Sequence, residues 1–341
     1  MFKAKLAATA IAAALSLGAT ALSTSAEPQM LKFSTMEPPQ GPMVNCFTLP
    51  LLEELKAASN GRIDIETYMG GTGFAHPLKQ YEQVARGVMD ISQGVLTYTP
   101  GQFAMTEIAT MPMLGENAGV LSRAINKLAP EYLADEFKDI HLMAILVTPP
   151  LYVHQRDEVA GLDGLKGKRI RSTGKGAAAF FEALGAIPVQ MPAPAVYENL
   201  QTGVIDGAIS EFLALKSFRI GEVAHHHLLA NTSHALLFLG MNKKTLASLP
   251  EDLQELVKNK LSGPEIGARA SACWEKLGNK VVEDLKAEGQ DFVELSDADR
   301  ARANEIAARI TDDYVASLEA AGKPAKAFYE ALTGELTAQA N

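Results

Sequence analysis

The stretch GKRIRSTGKGAAAFFEALGAIPVQMP, residues 167–192, carries the reading of the fold. A short strand runs into a Ser-Thr-Gly turn, a helix of small residues follows over 175–184, and IPVQMP begins another strand. Arg171 stands at the outgoing end of the first strand. In open α/β sheets that end faces the crevice where ligands bind. A guanidinium there offers a planar, bidentate fork matched to a carboxylate. A helix starting near Lys175 would add backbone amides and the positive end of its dipole. The alternative is a surface arginine on an exposed strand end, the reading that suits Lys166, Lys168 and Arg169 nearby.

Outward from this unit the pattern continues. A helix from about 194 to 202 ends at Gly203, and VIDGAIS is the next strand. RGVMDIS at 86–92 and TGVIDGAIS at 202–210 share one order: helix, Gly, Val, apolar residue, Asp, apolar run. The glycine suits a left-handed helix cap, and the apolar run suits a strand of a covered parallel sheet. The echo predicts two lobes of like construction. The first would comprise a strand at 30–35, a helix over 43–59, a strand at 61–68, a helix over 77–87 and the buried strand VMDISQGV. Helix dominates the C-terminal third, broken at Gly263-Pro264, with Ser296 and Asp299 as a capping pair and a frayed end at TGELTAQAN.

The 341 residues suffice for two domains or one large α/β unit. With 47% hydrophobic and 21% charged residues, a packed globule is expected. The net charge of −9 argues against nucleic acid as a partner, since phosphate binding wants a basic face. Residues 1–26 read as a signal peptide: Lys3 and Lys5, an apolar run from Leu6 to Leu22, then Thr24-Ser25-Ala26 as the cleavage site. Cleavage before Glu27 takes the charge from −9 to −11. The two cysteines, Cys46 and Cys273, do not make a disulfide framework and read as two buried thiols.

Enzyme motifs are absent. GGTGF lacks the lysine and hydroxyl residue of a phosphate-binding loop, and there is no G-x-S-x-G elbow. His225-His226-His227 shows no zinc-ligand spacing and reads as solvated or at a helix end. His76 and His154 read as structural, and Asp90 and Asp206 as turn caps.

DGLKGKRIRSTG, ALGAIPVQMPAPAVYENLQTGVIDGAIS and MNKKTLASLPEDLQELV, with GRIDIETYMGGTG, QVARGVMDIS and YTPGQFAMTEIATMPML earlier, resemble the solute-binding proteins of tripartite ATP-independent periplasmic (TRAP) transporters, DctP type. The resemblance spans nearly the entire chain after residue 26. It implies a two-lobed α/β periplasmic binding fold with a long helix crossing both lobes, an organic-acid ligand, TRAP membrane subunits as partners, a periplasmic location, and neither catalysis nor a cofactor. Lobe I would comprise 27–150 with a return segment at about 235–275, and lobe II 151–234 with C-terminal helices at about 276–330. Arg171 stands in the family's LKGxKxR motif, which implies pairing with the ligand carboxylate.

Three departures bear on the ligand. Ser210 replaces a common asparagine, Ala193 stands where an aromatic is frequent, and TPPLYVHQRDEV offers no second arginine. These favour a small or apolar monocarboxylate. Gln93 and Tyr98 from the first lobe, and Tyr197, Ser210 and Phe212 from the second, join Arg171 as candidate ligand-binding residues, Phe212 stacking on the apolar body of the ligand. A sensor subunit binding the same ligand, or a secreted hydrolase using the same cleft, are the other readings left open.

Overall fold

The structure, a computed structural model, describes residues 27–340. The signal segment 1–26 lies outside the described residues. In chain order the first part is β1 (Gln29–Thr35), α1 (Leu49–Ala58), β2 (Ile63–Tyr68), α2 (Gln80–Ala85), β3 (Ile91–Val95), α3 (Ala118–Tyr132), β4 (Ile140–Pro150) and β5 (Tyr152–Gln155). The middle is β6 (Arg169–Ser172), α4 (Lys175–Ala183), β7 (Ile187–Gln190), α5 (Val196–Gln201), β8 (Gly207–Ser210), α6 (Phe212–Ser217), β9 (His226–Leu228) and β10 (His234–Asn242). Helices then dominate: α7 (Lys243–Ser248), α8 (Glu251–Lys260), α9 (Pro264–Ala287), strand β11 (Asp291–Val293), α10 (Asp297–Ala320) and α11 (Ala325–Ala340).

Two sheets form, ordered β2-β1-β3-β10-β4 and β11-β9-β5-β8-β6-β7. In the first, β1 pairs parallel with β2 and β3, and β10 runs antiparallel between β3 and β4. The second repeats this: β6 pairs parallel with β7 and β8, and β5 runs antiparallel between β8 and β9. The antiparallel strand of each sheet is contributed from the far side of the other lobe. The chain therefore crosses between lobes at Leu151 and again near Thr232, and these crossings are bonded to each other, Leu151 N–H to the Ser233 carbonyl (2.8 Å) and Thr232 N–H to the Leu151 carbonyl (3.0 Å).

The echoed sequence units have one geometry. Gly87 and Gly203 both adopt φ +75°, ending α2 and α5 in the left-handed region that glycine occupies without a Cβ penalty. Asp90 donates its N–H to the Lys32 carbonyl (2.9 Å) and accepts the Lys32 N–H on its carboxylate (2.8 Å). Asp206 does the same with Arg169, at 2.8 Å in both directions. The two aspartates are thus latches between parallel strands, more than turn caps. Arg169 also grips Asp206 through Nε (2.9 Å) and Nη2 (2.7 Å), which holds that carboxyl down at about 2.

Helix α9 begins where the glycine-proline break was expected, with Gly263 at φ +93° and Pro264 in the first turn. It packs on α3 and β4 of the first lobe and on α6 of the second. At Gly267 the approach is so close that a Cβ would lie 2.7 Å from the Ile145 carbonyl oxygen. Ser296 caps α10 by accepting the Asp299 N–H. That helix also spans the molecule: Ala303 joins the second lobe's core, and Val315 and Leu318 join the first's.

Four expectations are corrected. The C-terminal helices do not stay with the second lobe, because Phe328 and Leu332 of α11 are fully buried in the first lobe's core. Helix α11 runs to Ala340, where fraying was expected. His226 and His227 lie in β9, not at a helix end, and His227 is buried. Cys46 and Cys273 form a disulfide, with Cα atoms 6.0 Å apart across 227 residues of sequence.

The disulfide joins the helical segment before α1 to the middle of α9. Because it closes so long a loop, its removal should relieve the unfolded chain of a large restriction. Replacing both cysteines by serine is expected to cost about 2–5 kcal/mol, read as a lower denaturation midpoint with a raised m-value as the unfolded chain expands. An unchanged midpoint would show that the bridge contributes nothing to stability.

Candidate functional site

The carboxyl ends of the parallel strands converge on a cavity between the lobes. β1 delivers Met36 and Glu37, and β3 delivers Val95 and Tyr98. β6 delivers Arg171 and Thr173, and β8 delivers Ser210 and Glu211. Thr148 and Leu151 come from the first crossing, Ala235 and Leu237 from the second. Trp274 arrives from α9, one residue beyond the disulfide. The cavity has about 470 Å³ of unfilled space, part of it open to solvent. Its apolar wall is Met36, Val95, Leu151, Phe218, Leu237 and Trp274.

Arg171 is only 3% exposed. Its neighbour Arg169 is neutralised by Asp206, whereas Arg171 meets neutral acceptors alone. Nε donates to the Met191 carbonyl (2.9 Å), Nη1 to the Ile209 carbonyl (2.9 Å) and Nη2 to the Tyr98 hydroxyl (3.0 Å). A guanidinium has five N–H groups. Three are used, and one remains on each terminal nitrogen. A buried cation so placed lacks a counter-charge, a costly arrangement.

Tyr98 crosses the cleft. It belongs to the first lobe, yet its oxygen accepts from Arg171 and from the Ala193 N–H (2.8 Å), both of the second lobe. With both lone pairs occupied, its own proton is left to donate. Thr97 adds a hydroxyl bond to Thr173 (3.2 Å) across the same gap. The lobes are therefore closed on the cavity.

Two acids complete the lining, one per lobe, each 7% exposed. Burial alone pushes the Glu37 carboxyl up to about 7. Burial, reinforced by Glu37, pushes Glu211 up to about 8, against partial relief from the amides at the start of α6. Oε2 of Glu211 has no hydrogen-bond partner among the described residues. Gly70 fixes Glu37 from behind: its N–H bonds the Glu37 carbonyl (2.8 Å), and a Cβ there would meet the Met36 carbonyl at 2.6 Å.

Of the six candidates, Arg171, Tyr98 and Ser210 line the cavity. Gln93 does not; it lies on the same strand face as Val95 but deeper, accepting a hydrogen bond from Thr48 (3.2 Å) beneath the first helical segment. Tyr197 points outward from α5, its ring under the Arg219 guanidinium (5.0 Å), because Val196 and Leu200 take the core-facing positions. Phe212 turns to the opposite side, into a cluster with Tyr152 (5.4 Å), His154 (5.2 Å), His227 (5.8 Å) and Phe292 (5.7 Å). The amino-terminus of α4 also misses the cavity: a Cβ at Gly174 would touch Thr97 (3.2 Å) and Glu107 (3.6 Å).

Sequence reasoning missed Glu37, Glu211 and Trp274. A usable signal existed for the acids, since Glu211 directly follows β8 and Glu37 lies two residues past the end of β1. Behind Ser210, His154 bonds the Ser210 carbonyl (3.0 Å) and His227 (2.9 Å), and His227 reaches Gln290 (2.9 Å). Burial drives His154 well below the ordinary histidine range and His227 down to about 4. Among the described residues no group of His, Cys, Asp and Glu could hold a metal ion, and no helix is long and apolar enough to cross a membrane.

A pair of lobes closed over a cavity that holds an uncompensated cation is the architecture of a solute-binding protein. The model of the bacterial extracellular solute-binding proteins, family 7 (DctP), matches residues 33–318, and the chain belongs to that family. It is 26% identical over 328 residues to the outer membrane transporter protein TsaT of Comamonas testosteroni, covering 92% of this chain and 95% of that one. It is 25% identical to the C4-dicarboxylate-binding periplasmic protein DctP of Rhodobacter capsulatus, over 87% of this chain and 91% of that one. Among solved structures, a TRAP solute-binding protein from Rhodoferax ferrireducens T118, in complex with copurified benzoate, superposes with a TM-score of 0.87 at 25% identity, over 92% of this chain and 98% of that chain. A marine metagenome TRAP solute-binding protein specific for aromatic acid ligands, in complex with metahydroxyphenylacetate, gives 0.86 at 26% identity, over 90% and 98%. Family members are solute receptors, and the chain is a receptor of this kind rather than an enzyme.

The buried acids and histidines set opposite pH limits on the ligand-free protein. Glu37 and Glu211 have folded values raised above the ordinary 4.5, so their contribution is complete below about 4.5 and is lost as pH rises through about 7 to 8. His227 is lowered from 6.5 to about 4, so its contribution holds above about 6.5 and is lost as pH falls toward 4. Thermal melts without ligand should therefore fall off below about pH 4.5 and above about pH 6.5, and Glu37→Gln with Glu211→Gln should flatten the alkaline limb, raising Tm at about pH 8 by several degrees. An alkaline limb unaltered in the double variant would refute this assignment.

Proposed function

We propose that the protein captures a small organic acid by its carboxylate in the periplasm and presents it to the membrane subunits of a TRAP transporter. The observation that carries this reading is Arg171: a buried guanidinium with two free N–H groups, no carboxylate partner, and the Tyr98 hydroxyl beside it. A ligand carboxylate supplies the missing charge and accepts those donors. The apolar wall takes the body of the ligand. The closed cleft leaves little free room between its walls, so the ligand is compact. Two similar structures hold aromatic monocarboxylates, benzoate and metahydroxyphenylacetate, which are compact acids of this kind. Closure follows from the site, since Arg171 and Tyr98 reach one ligand from different lobes only when the lobes meet.

The test begins with the acid retained through native purification and identified by mass spectrometry. Calorimetry then compares it with its primary amide on wild type, Arg171→Lys and Arg171→Met. Removing one side of a buried, hydrogen-bonded charge pair costs about 2–5 kcal/mol, so Arg171→Met should weaken the acid by roughly 30-fold to several-thousand-fold. Lysine should restore only part of this, lacking the planar fork. Equal affinity for acid and amide in the wild type would overturn the carboxylate reading.

A further inference from the structure

Arg171 accounts for one end of the ligand and leaves the other end unexplained. Glu37 and Glu211 reach the same cavity from opposite lobes, and among the described residues no cation is paired with either. We propose that the site takes a zwitterion, an organic acid carrying a protonated nitrogen that Glu37 and Glu211 clamp between the lobes. This rests on the carboxylate reading of Arg171 and extends it to the second group of the ligand.

Three observations support it. Oε2 of Glu211 is buried without a donor, an orphan that a ligand N–H would satisfy. The Trp274 ring lines the cavity with both acids, and a ligand cation gains from an aromatic face. On its outer side, Glu211 and Trp274 also line a groove with Glu116 and Glu275, so the approach is acidic as well. The titratable groups that face the pair are few: Arg171 and Tyr98 within the cavity, Glu116, Tyr152 and Glu275 along the groove, and His154 beneath Ser210. A plain monoanion would meet two carboxyls that must both be kept protonated, whereas a zwitterion lets them ionise against a partner. The same pair repels itself across an empty closed cleft when ionised, which disfavours closure without ligand.

The experiment uses benzoate and 4-(aminomethyl)benzoate, which adds a protonated amine at the far end of the ring. On wild type at about pH 8 the aminated acid should bind at least about tenfold tighter, about 1.4 kcal/mol. Its affinity should rise between about pH 6 and pH 8 as the acids ionise, and that of benzoate should fall. The Glu37→Gln, Glu211→Gln protein should abolish or reverse the preference. Calorimetry of the wild type in buffers of different ionisation enthalpy gives a readout that needs no variant: the aminated acid should release protons on binding. Benzoate binding as tightly as the aminated acid, no binding of the aminated acid at millimolar concentration, or no proton release would overturn the proposal. Arg171→Met separates the two readings. Loss of both probes supports the carboxylate anchor, whereas retention of both with the Glu-dependent preference intact refutes the anchor and leaves the amine clamp standing.

Discussion

A single buried guanidinium organises the cavity between the lobes. Arg171 is held by the Met191 and Ile209 carbonyls from within its own lobe and by the Tyr98 hydroxyl from the other. The first two contacts make its position a property of the second sheet; the third makes its surroundings a property of closure. Neutral acceptors orient the cation without cancelling its charge, so the closed cleft keeps a strong, directed demand for an anion. The Arg169–Asp206 pair next to it shows the contrast, since there the charge is spent on joining β6 to β8 and none is left for a ligand.

The fold meets this demand by building one lobe twice. Each has three parallel strands latched by a Gly-Val-x-Asp unit, with an antiparallel strand lent from across the hinge. Parallel strands point their carboxyl ends the same way, so both lobes offer loops to one cleft. The exchanged strands join the lobes through two short crossings that are bonded to each other, the arrangement expected of a hinge between packed bodies. Helices α9 and α10 run past both crossings, and the disulfide fixes Trp274 beside the first lobe.

The cavity lining carries both signs of charge. Arg171 brings a buried cation with unused N–H donors, and Glu37 and Glu211 bring one buried carboxyl from each lobe, among apolar neighbours. Such a lining discriminates among ligands by charge, because each mismatch leaves a desolvated charge without a partner.

Much of this was legible in the sequence because it is local. The strand and helix periods, the caps at Gly87 and Gly203, the break before Pro264 and the Ser296 cap depend on residues within a few positions of one another. The echoed Gly-Val-x-Asp units betrayed the duplicated lobe, and an arginine at a strand end betrayed the cation that lines the cavity. Tertiary structure alone decided which buried faces look into the cleft. Gln93 shares its strand face with Val95, yet a distant helical segment covers it. Glu211 and Phe212 are adjacent, but the turn into α6 sends the acid inward and the ring away. Cys46 and Cys273, separated by 227 residues, meet only because α9 is laid across the first lobe. Periodicity assigns a side chain to a face; what covers that face is set by segments far away in the chain, and no local pattern encodes their arrival.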